Sequence, residues 1–259
     1  MSADTAQPCR AESLWHGMAA EYLDDGYDVR NDPRDVARIK RELIARYARR
    51  SDVACDAGCA NGAWLEFLAP RVKCVIGVDR SAGMLRLAHA RGARTPDQNV
   101  CLVEADLRTL AIADRTFDLI LCFSTLSIVP EWEAVLGEIC RVLKHGGRLV
   151  LDLQGRHNLA HHYWSRWHRR GGRFGSTALS WSELEAAIAR HGLALIEARA
   201  LGVLSQAQFV PGLRYGLALR RFLPTTPLHS LRLDERLSSI PRLRPFAGRW
   251  LLALARSPA

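Results

Sequence analysis

The chain has 259 residues, 48% of them hydrophobic and 24% charged, a balance that excludes wholesale disorder and suits one sizeable globular domain. The formal net charge is +9, but only three lysines stand against 33 arginines, so the basicity is not by itself the mark of a phosphate-binding surface. The excess is also local, since residues 203–259 hold nine arginines against Asp234 and Glu235.

Polar, irregular sequence with the aromatics Trp15, Tyr22 and Tyr27 opens the chain. From Asn31-Asp32-Pro33 a capping residue and a proline introduce a helical pattern, with Val36, Ile39, Leu43 and Ile44 recurring at helical spacing to about Tyr47. Short apolar runs then alternate with helical stretches. Strands are expected at Val53–Asp56, Cys74–Asp79, Val100–Asp106, Phe117–Phe123 and Arg148–Leu153, and helices at Ala63–Leu68, Ala82–Arg91 and Glu131–Leu143. Lys144-His145-Gly146-Gly147 reads as a glycine stop to the last of these helices. Runs this continuous, separated by helices, predict an α/β fold with a mostly parallel sheet covered on both faces.

Beyond Leu153 comes a segment rich in histidine and tryptophan, GRHNLAHHYWSRWHRRGGRFGS. Ser180-Trp-Ser-Glu183 has the form of a capping box and opens another helix, which His191-Gly192 closes; LALIEARAL gives a sixth strand, and WLLALA (Trp250–Ala255) a seventh. A proline-punctuated basic insertion, residues 203–247, separates these two strands. There is no internal repeat.

Three acids, Asp56, Asp79 and Asp106, stand at the ends of the first three strands. In an open α/β sheet ligands sit beyond the carboxyl ends of the strands, so these carboxylates converge on one pocket. Gly58 and Gly62 let the chain turn sharply near a ligand, Asp79 is placed to accept both hydroxyls of a ribose, and Asp106 to accept from an exocyclic amine such as that of adenine. An isolated aspartate is more often a helix cap. Three in register describe an adenosine-shaped site. Neither G-x-G-x-x-G nor G-x-x-x-x-G-K-[ST] occurs here, so the loop lacks the pattern for a pyrophosphate or a triphosphate.

The ordered motifs DAGCANG, GVDRSAGML, EADLRTL, FDLILCFSTLSIV and EICRVLKHGGRLVL resemble those of class I S-adenosylmethionine-dependent methyltransferases of the small-molecule type, over about residues 50–155. The resemblance implies a Rossmann-like seven-stranded sheet with helices on both faces and its last strand antiparallel. It implies one domain, residues 1–259, with an N-terminal lid and helix (1–50), a cofactor-binding core (51–155) and an acceptor-side part (156–259). It further implies that Asp56, Ala57, Gly58, Cys59 and Ala60 wrap the methionine moiety of S-adenosyl-L-methionine and that Asp79 holds the ribose. Arg80 and Met84 would lie near the adenine, Asp106 and Leu107 would read its edge, and Cys122, Phe123 and Ser124 would face the sulfonium. Ala60 departs from the pattern, which has glycine there; an alanine fits wherever φ stays negative.

A sulfonium methyl group is already activated, so the protein has to hold a nucleophile in line and remove its proton. His157 and His161 follow the fifth strand and are the candidate bases, although loop histidines are commonly plain surface residues. Trp164, Trp167 and Phe174 are candidates for an acceptor wall, and Tyr22 for a lid. Cys122 is read as a small buried hydrophobe rather than a nucleophile. Seven scattered cysteines, no run of eighteen apolar residues and no cationic-then-apolar leader predict a reduced, cytoplasmic protein, and no second pair or neighbouring histidine joins Cys55 and Cys59 in a metal site. The expected activity is methyl transfer to a small organic acceptor, most simply at oxygen. A tRNA-modifying enzyme and a non-catalytic cofactor-binding partner protein are the alternatives. Against the tRNA alternative, the arginines of FLPTTPLHSLRLDERLSSIPRLRPF are interspersed with leucine and proline, with few base-stacking aromatics; the pattern fits a helical cap over the substrate site at least as well, or a peripheral contact with a membrane or an acidic carrier.

Overall fold

Side chains alternate between two cores along each central strand, which is what a sheet covered on both faces requires. In β1 (Val53–Ala57) Cys55 and Ala57 face one core and Ala54 the other; in β4 (Phe117–Cys122) Ile120 and Cys122 oppose Leu119 and Leu121. The same division holds in β5 (Leu143–Gly155), where Leu149 and Leu151 oppose Val150, and in β8 (Arg249–Arg256), where Trp250 and Leu252 oppose Leu251 and Ala253. The computed structural model describes residues 35–92, 99–157, 177–203 and 234–258.

The sheet runs β3-β2-β1-β4-β5-β8-β7, with β2 at Cys74–Asp79, β3 at Val100–Glu104 and β7 at Leu193–Leu201. Strands β1 to β5 pair in parallel, and β8 lies antiparallel between β5 and β7. A two-residue strand, β6 (Ala178–Leu179), adds to the end of β5 and makes eight strands where seven were expected. The antiparallel last strand is as expected.

Helices α4 (Trp132–Val142) and α5 (Trp181–Arg190) bury Val135, Ile139, Leu184 and Ile188 on one face. On the other face lie α1 (Asp35–Tyr47), through Ile39 and Leu43, and the short α2 (Leu65–Leu68), whose Leu65 and Leu68 are buried. Helix α3 (Ala82–Gly92) links β2 to β3 and packs on both. The capping box at the head of α5 forms as expected: the Ser180 hydroxyl accepts from Glu183 N at 3.2 Å, and the Glu183 carboxylate accepts from Ser180 N at 2.7 Å.

Two local expectations change. Helix α4 does not stop on glycines but passes directly into β5, with Leu143 already extended (φ −78°, ψ 134°). Gly146 (φ 71°) lies inside that strand, near an irregularity in the β4–β5 register between Phe117 and Leu119. The pairing of Leu143 with Phe117 supplies the tertiary hydrogen bonds that outcompete a local glycine cap.

Polar links fix the position of α1. Glu42 accepts from the Arg199 guanidinium of β7 at 2.5 Å, Glu197 accepts from Tyr47 Oη at 2.9 Å, and Arg38 and Arg199 both pair with Glu235 of the helical segment 234–239. This brings the apolar stripe of α1 against the sheet. One polar residue, Lys40, lies within that stripe.

Candidate functional site

The turn after β1 is built on two glycines at positive φ, where a side chain would be strained and would also clash. Gly58 has φ 83°, and a Cβ on it would stand 2.1 Å from the Thr125 hydroxyl oxygen; Gly62 has φ 74°, and a Cβ there would meet Ala88 at 2.9 Å. The Gly58 and Cys59 amides both donate to the Val78 carbonyl, at 2.8 and 3.0 Å, which draws the turn over the end of β2. Ala60 lies in the left-handed region, with φ 46°. The expectation that φ stays negative there is corrected: the turn imposes its geometry, and the methyl group strains it by about 1 kcal/mol.

Asp79 holds the turn in place. Its carboxylate accepts from Ala60 N at 2.8 Å and from Ser81 N at 2.9 Å, leaving further lone pairs for a ligand. Burial pushes its pKa up, and those backbone amides oppose the rise. Asp56 is 2% exposed, and its Oδ2 has no hydrogen-bond partner. Burial, and then the neighbouring Asp79 charge, raise its carboxyl to about 7, against a smaller opposing effect of Lys40. A buried, unpaired carboxylate oxygen is costly unless a ligand donor meets it.

Asp106 is placed differently. Both its oxygens accept from the Arg108 guanidinium, at 2.6 to 3.1 Å, and Arg80 approaches to 3.7 Å. Arg108 holds its pKa below the usual carboxylate range. Arg80 is about half exposed, while Met84 and Leu107 are buried. The candidate site residues of the first three strands therefore gather at one end of the sheet, and the acid expected to read adenine is already paired.

After β4, Cys122 and Phe123 are buried and Ser124 turns back through φ 59°. The turn is held by Asp152 of β5, whose carboxylate accepts from Ser124 N, and by the Thr125 hydroxyl, 3.2 Å from the carbonyls of Ala57 and Phe123. Burial, foremost, raises the Cys122 thiol far above the ordinary range, so it is not a thiolate nucleophile. The Phe123 ring packs on Trp64 at 5.3 Å, tilted by 59°, and forms an apolar wall.

Sequence reasoning missed Lys40, Asp152 and Arg249. Lys40 Nζ lies 3.1 Å from Asp152 Oδ2 and 3.4 Å from Ser124 Oγ, over the rings of Phe123 (4.5 Å) and Trp64 (5.6 Å); Arg249 Nη1 reaches the same Asp152 oxygen at 3.0 Å. Burial lowers the Lys40 pKa, with Asp152 opposing; in Asp152 burial acts upward, but Lys40, Arg249 and the Ser124 amide outweigh it and hold the acid low. A signal was present, because Lys40 is one of three lysines and stands at helical spacing from Val36, Leu43 and Ile44. Of the candidate bases, His157 is exposed in the turn following β5. His161, Tyr22, Trp164, Trp167 and Phe174 lie outside the described residues, as does most of 203–247.

Residues 54–147 match the profile of a family described as a methyltransferase domain. A demethylmenaquinone methyltransferase of Shouchella clausii (strain KSM-K16) is 36% identical over 100 residues, 38% of this chain and 43% of the relative. Aklanonic acid methyltransferase DauC of Streptomyces sp. (strain C5) is 31% identical over 98 residues, 37% of this chain and 44% of that one. Both alignments thus span less than half of the relative's length. The protein solved in complex with the Haloferax volcanii Trm112 methyltransferase activator has the same fold: TM-score 0.66, 21% identity, covering 94% of this chain and 97% of that chain. The fold is Rossmann-like. Over residues 54–147 the chain is similar to methyltransferase domains.

The residues present fit S-adenosyl-L-methionine: the unpaired Asp56 Oδ2 suits the ammonium of its methionine end, and Asp79 keeps acceptor capacity for a ribose.

Proposed function

We propose that the protein transfers a methyl group from S-adenosyl-L-methionine to a small organic acceptor, at an oxygen atom. What carries this reading is the buried, unpaired Asp56 in the same end of the sheet as the apolar Phe123 and Trp64 wall. The cofactor supplies a methyl group on positively charged sulfur, already activated toward displacement. The chain's own task is then positioning: Asp56 and Asp79 orient the two ends of the donor, Cys122 and Phe123 keep water from the reacting centre, and His157 or His161 accepts the acceptor's proton. Relatives named for demethylmenaquinone and aklanonic acid support an acceptor of the small organic class.

The chain is read as one domain, with residues 1–50 closing over the donor, 51–155 binding it, and 156–259 forming the acceptor side. The basic segment 203–247 would make a peripheral contact with an anionic membrane or an acidic carrier. Among the described residues no helix is long and apolar enough to cross a membrane, and the working compartment is read as the cytoplasm.

Incubation with methyl-labelled cofactor and a cell extract tests the reading. Label in the small organic fraction is the expected result. Label in RNA would support a tRNA-modifying enzyme, and cofactor binding without labelled product a non-catalytic binding protein. Methyl transfer by His157→Ala and His161→Ala tests the base: a fall in kcat is expected in one of them, and near-normal rates in both would remove the role.

A further inference from the structure

Arg249 opens β8, and its guanidinium is held at one corner. Its Nη1 lies 3.0 Å from Asp152 Oδ2, and it meets no other partner among the described residues. The arginine side chain is 29% exposed, whereas the carboxylate that anchors it is 2% exposed. A guanidinium carries five N–H donors in a rigid fork. A buried acid therefore fixes one corner of the fork while the remaining donors stay available to a ligand.

The place of this cation says what that ligand is. Arg249 pairs with Gln154 of β5, and the alternation that puts Leu251 and Ala253 in the core shared with Phe123 and Trp64 puts Arg249 on that same face of β8. Asp152 ties it to the turn after β4, because the other oxygen of the same carboxylate, Oδ1, accepts from Ser124 N. Arg249 thus stands beside Cys122–Ser124, the segment that the proposed function sets against the sulfonium.

Charge at this end of the sheet does not balance. Lys40 Nζ lies 3.1 Å from the same Asp152 oxygen, so two cations bear on one carboxylate, and Asp56 is the other acid that acts on Lys40. Asp79 lies toward the ribose and is occupied by two backbone amides. With the donor bound, the positive groups would be Lys40, Arg249, the donor's ammonium and its sulfonium; the negative ones would be Asp152, Asp56 and the donor's own carboxylate. One positive charge is left over. Beside the Phe123 and Trp64 wall its repulsion of the sulfonium is poorly screened. A neutral acceptor leaves that repulsion in place. A single carboxylate on the acceptor removes it and matches the planar fork, whereas a phosphate monoester overshoots the balance.

We propose that Arg249 selects the acceptor by pairing with a carboxylate on it, so that the acceptor is a small organic acid. The inference rests on the methyl-transfer reading above and names the acceptor class and the residue that recognises it. Arg249 orients the acceptor and makes no bond to the methyl group; Asp152 positions Arg249.

A cell extract freed of protein and RNA by ultrafiltration and split on a strong anion exchanger tests the class. With the full chain and methyl-labelled cofactor, acceptor activity should be retained on the resin, elute with salt and survive phosphatase. Label formed mainly from the unretained, neutral pool overturns the proposal, as does activity that phosphatase destroys. Kinetics on the eluate test the residue. Arg249→Met should raise the apparent KM for the eluted acceptor about thirtyfold or more, lower kcat less than about threefold, and leave S-adenosylhomocysteine affinity by calorimetry within about threefold. Arg249→Lys should recover part of the loss, since it restores the charge but not the fork. An unchanged KM overturns the proposal, and equal weakening of S-adenosylhomocysteine shows a structural role and overturns it too. Should Arg249→Met fail to fold, the fractionation with wild-type protein decides. A wild-type protein that labels neither pool refutes the methyl-transfer reading itself, a result distinct from label in the wrong pool.

Discussion

The two ends of the proposed donor site, a methionine end at Asp56 and an adenine end at Asp106, are prepared in opposite ways. At the methionine end Asp56 is buried with an unpaired oxygen, Lys40 and Arg249 share one carboxylate, and Ala60 and Ser124 are held at positive φ. At the adenine end Asp106 is partly exposed and already bound by Arg108. The first end is strained and incomplete without a ligand, whereas the second is satisfied by the protein alone. Strain of this kind persists only where surrounding structure imposes it, and it commonly marks the part of a site that is organised before binding. Under the proposed assignment the Asp56 end is organised before binding, while the Asp106 corner has to exchange one set of partners for another.

Asp79 joins the two ends, and its loss should have the largest effect. Asp79→Ala removes the acceptor for Ala60 N and Ser81 N together with the ribose contact, so cofactor affinity should fall by about a hundredfold or more. Affinity surviving within about threefold, under ~0.7 kcal/mol, would sink the ribose assignment.

The comparison is sharpened by making the same change on each side. The Asp56 carboxyl is raised to about 7 from 3.8, so its contribution to stability is fully present below pH ~4 and is lost as pH rises toward 7. Asp56→Asn should thus stabilise the ligand-free protein at pH 8, by on the order of 2 to 4 kcal/mol, and flatten stability between pH 4 and 7. Asp106 is shifted the other way, chiefly by Arg108; its contribution is present above its unfolded pKa of 3.8 and lost as pH falls through the lower folded value. Asp106→Asn should cost at most about 1 kcal/mol at pH 8, because the pair is partly exposed and screened by solvent. Denaturant melts across pH would show the opposite signs, and equal signs would break the comparison. The smallest effect belongs to Ala60→Gly, which relieves the left-handed strain and should stabilise the protein by about 1 kcal/mol, raising Tm by about 2–4 °C.

Strand positions were legible because both faces of the sheet are buried: runs such as CVIGVD and LALIEARAL appear in the structure with unchanged bounds. The acids at the ends of β1 and β2 were legible for a related reason, since a parallel sheet places such residues at one edge. The adenine corner was legible in position but not in state. Nothing in EADLRTL says that Arg108 folds back onto Asp106 rather than outward, because that choice depends on local packing and on solvent exposure. The same holds for Gly146, whose cap geometry lost to the pairing of β5 with β4.

The sequence by itself determined the α/β class, the mostly parallel sheet and the glycine turn after β1, because hydrophobic periodicity, glycine conformation and strand-end acids are local properties. Only the tertiary structure decided what lies against the reacting end of that site. Lys40, Asp152 and Arg249 are distant in sequence, on α1, β5 and β8, and they meet because β8 inserts antiparallel beside β5 while α1 is tied across the sheet through Glu42, Tyr47 and Arg38. No local pattern encodes such a meeting. It follows from burying both faces of one sheet, which forces a lysine in an apolar stripe to find its partners on strands more than a hundred residues away.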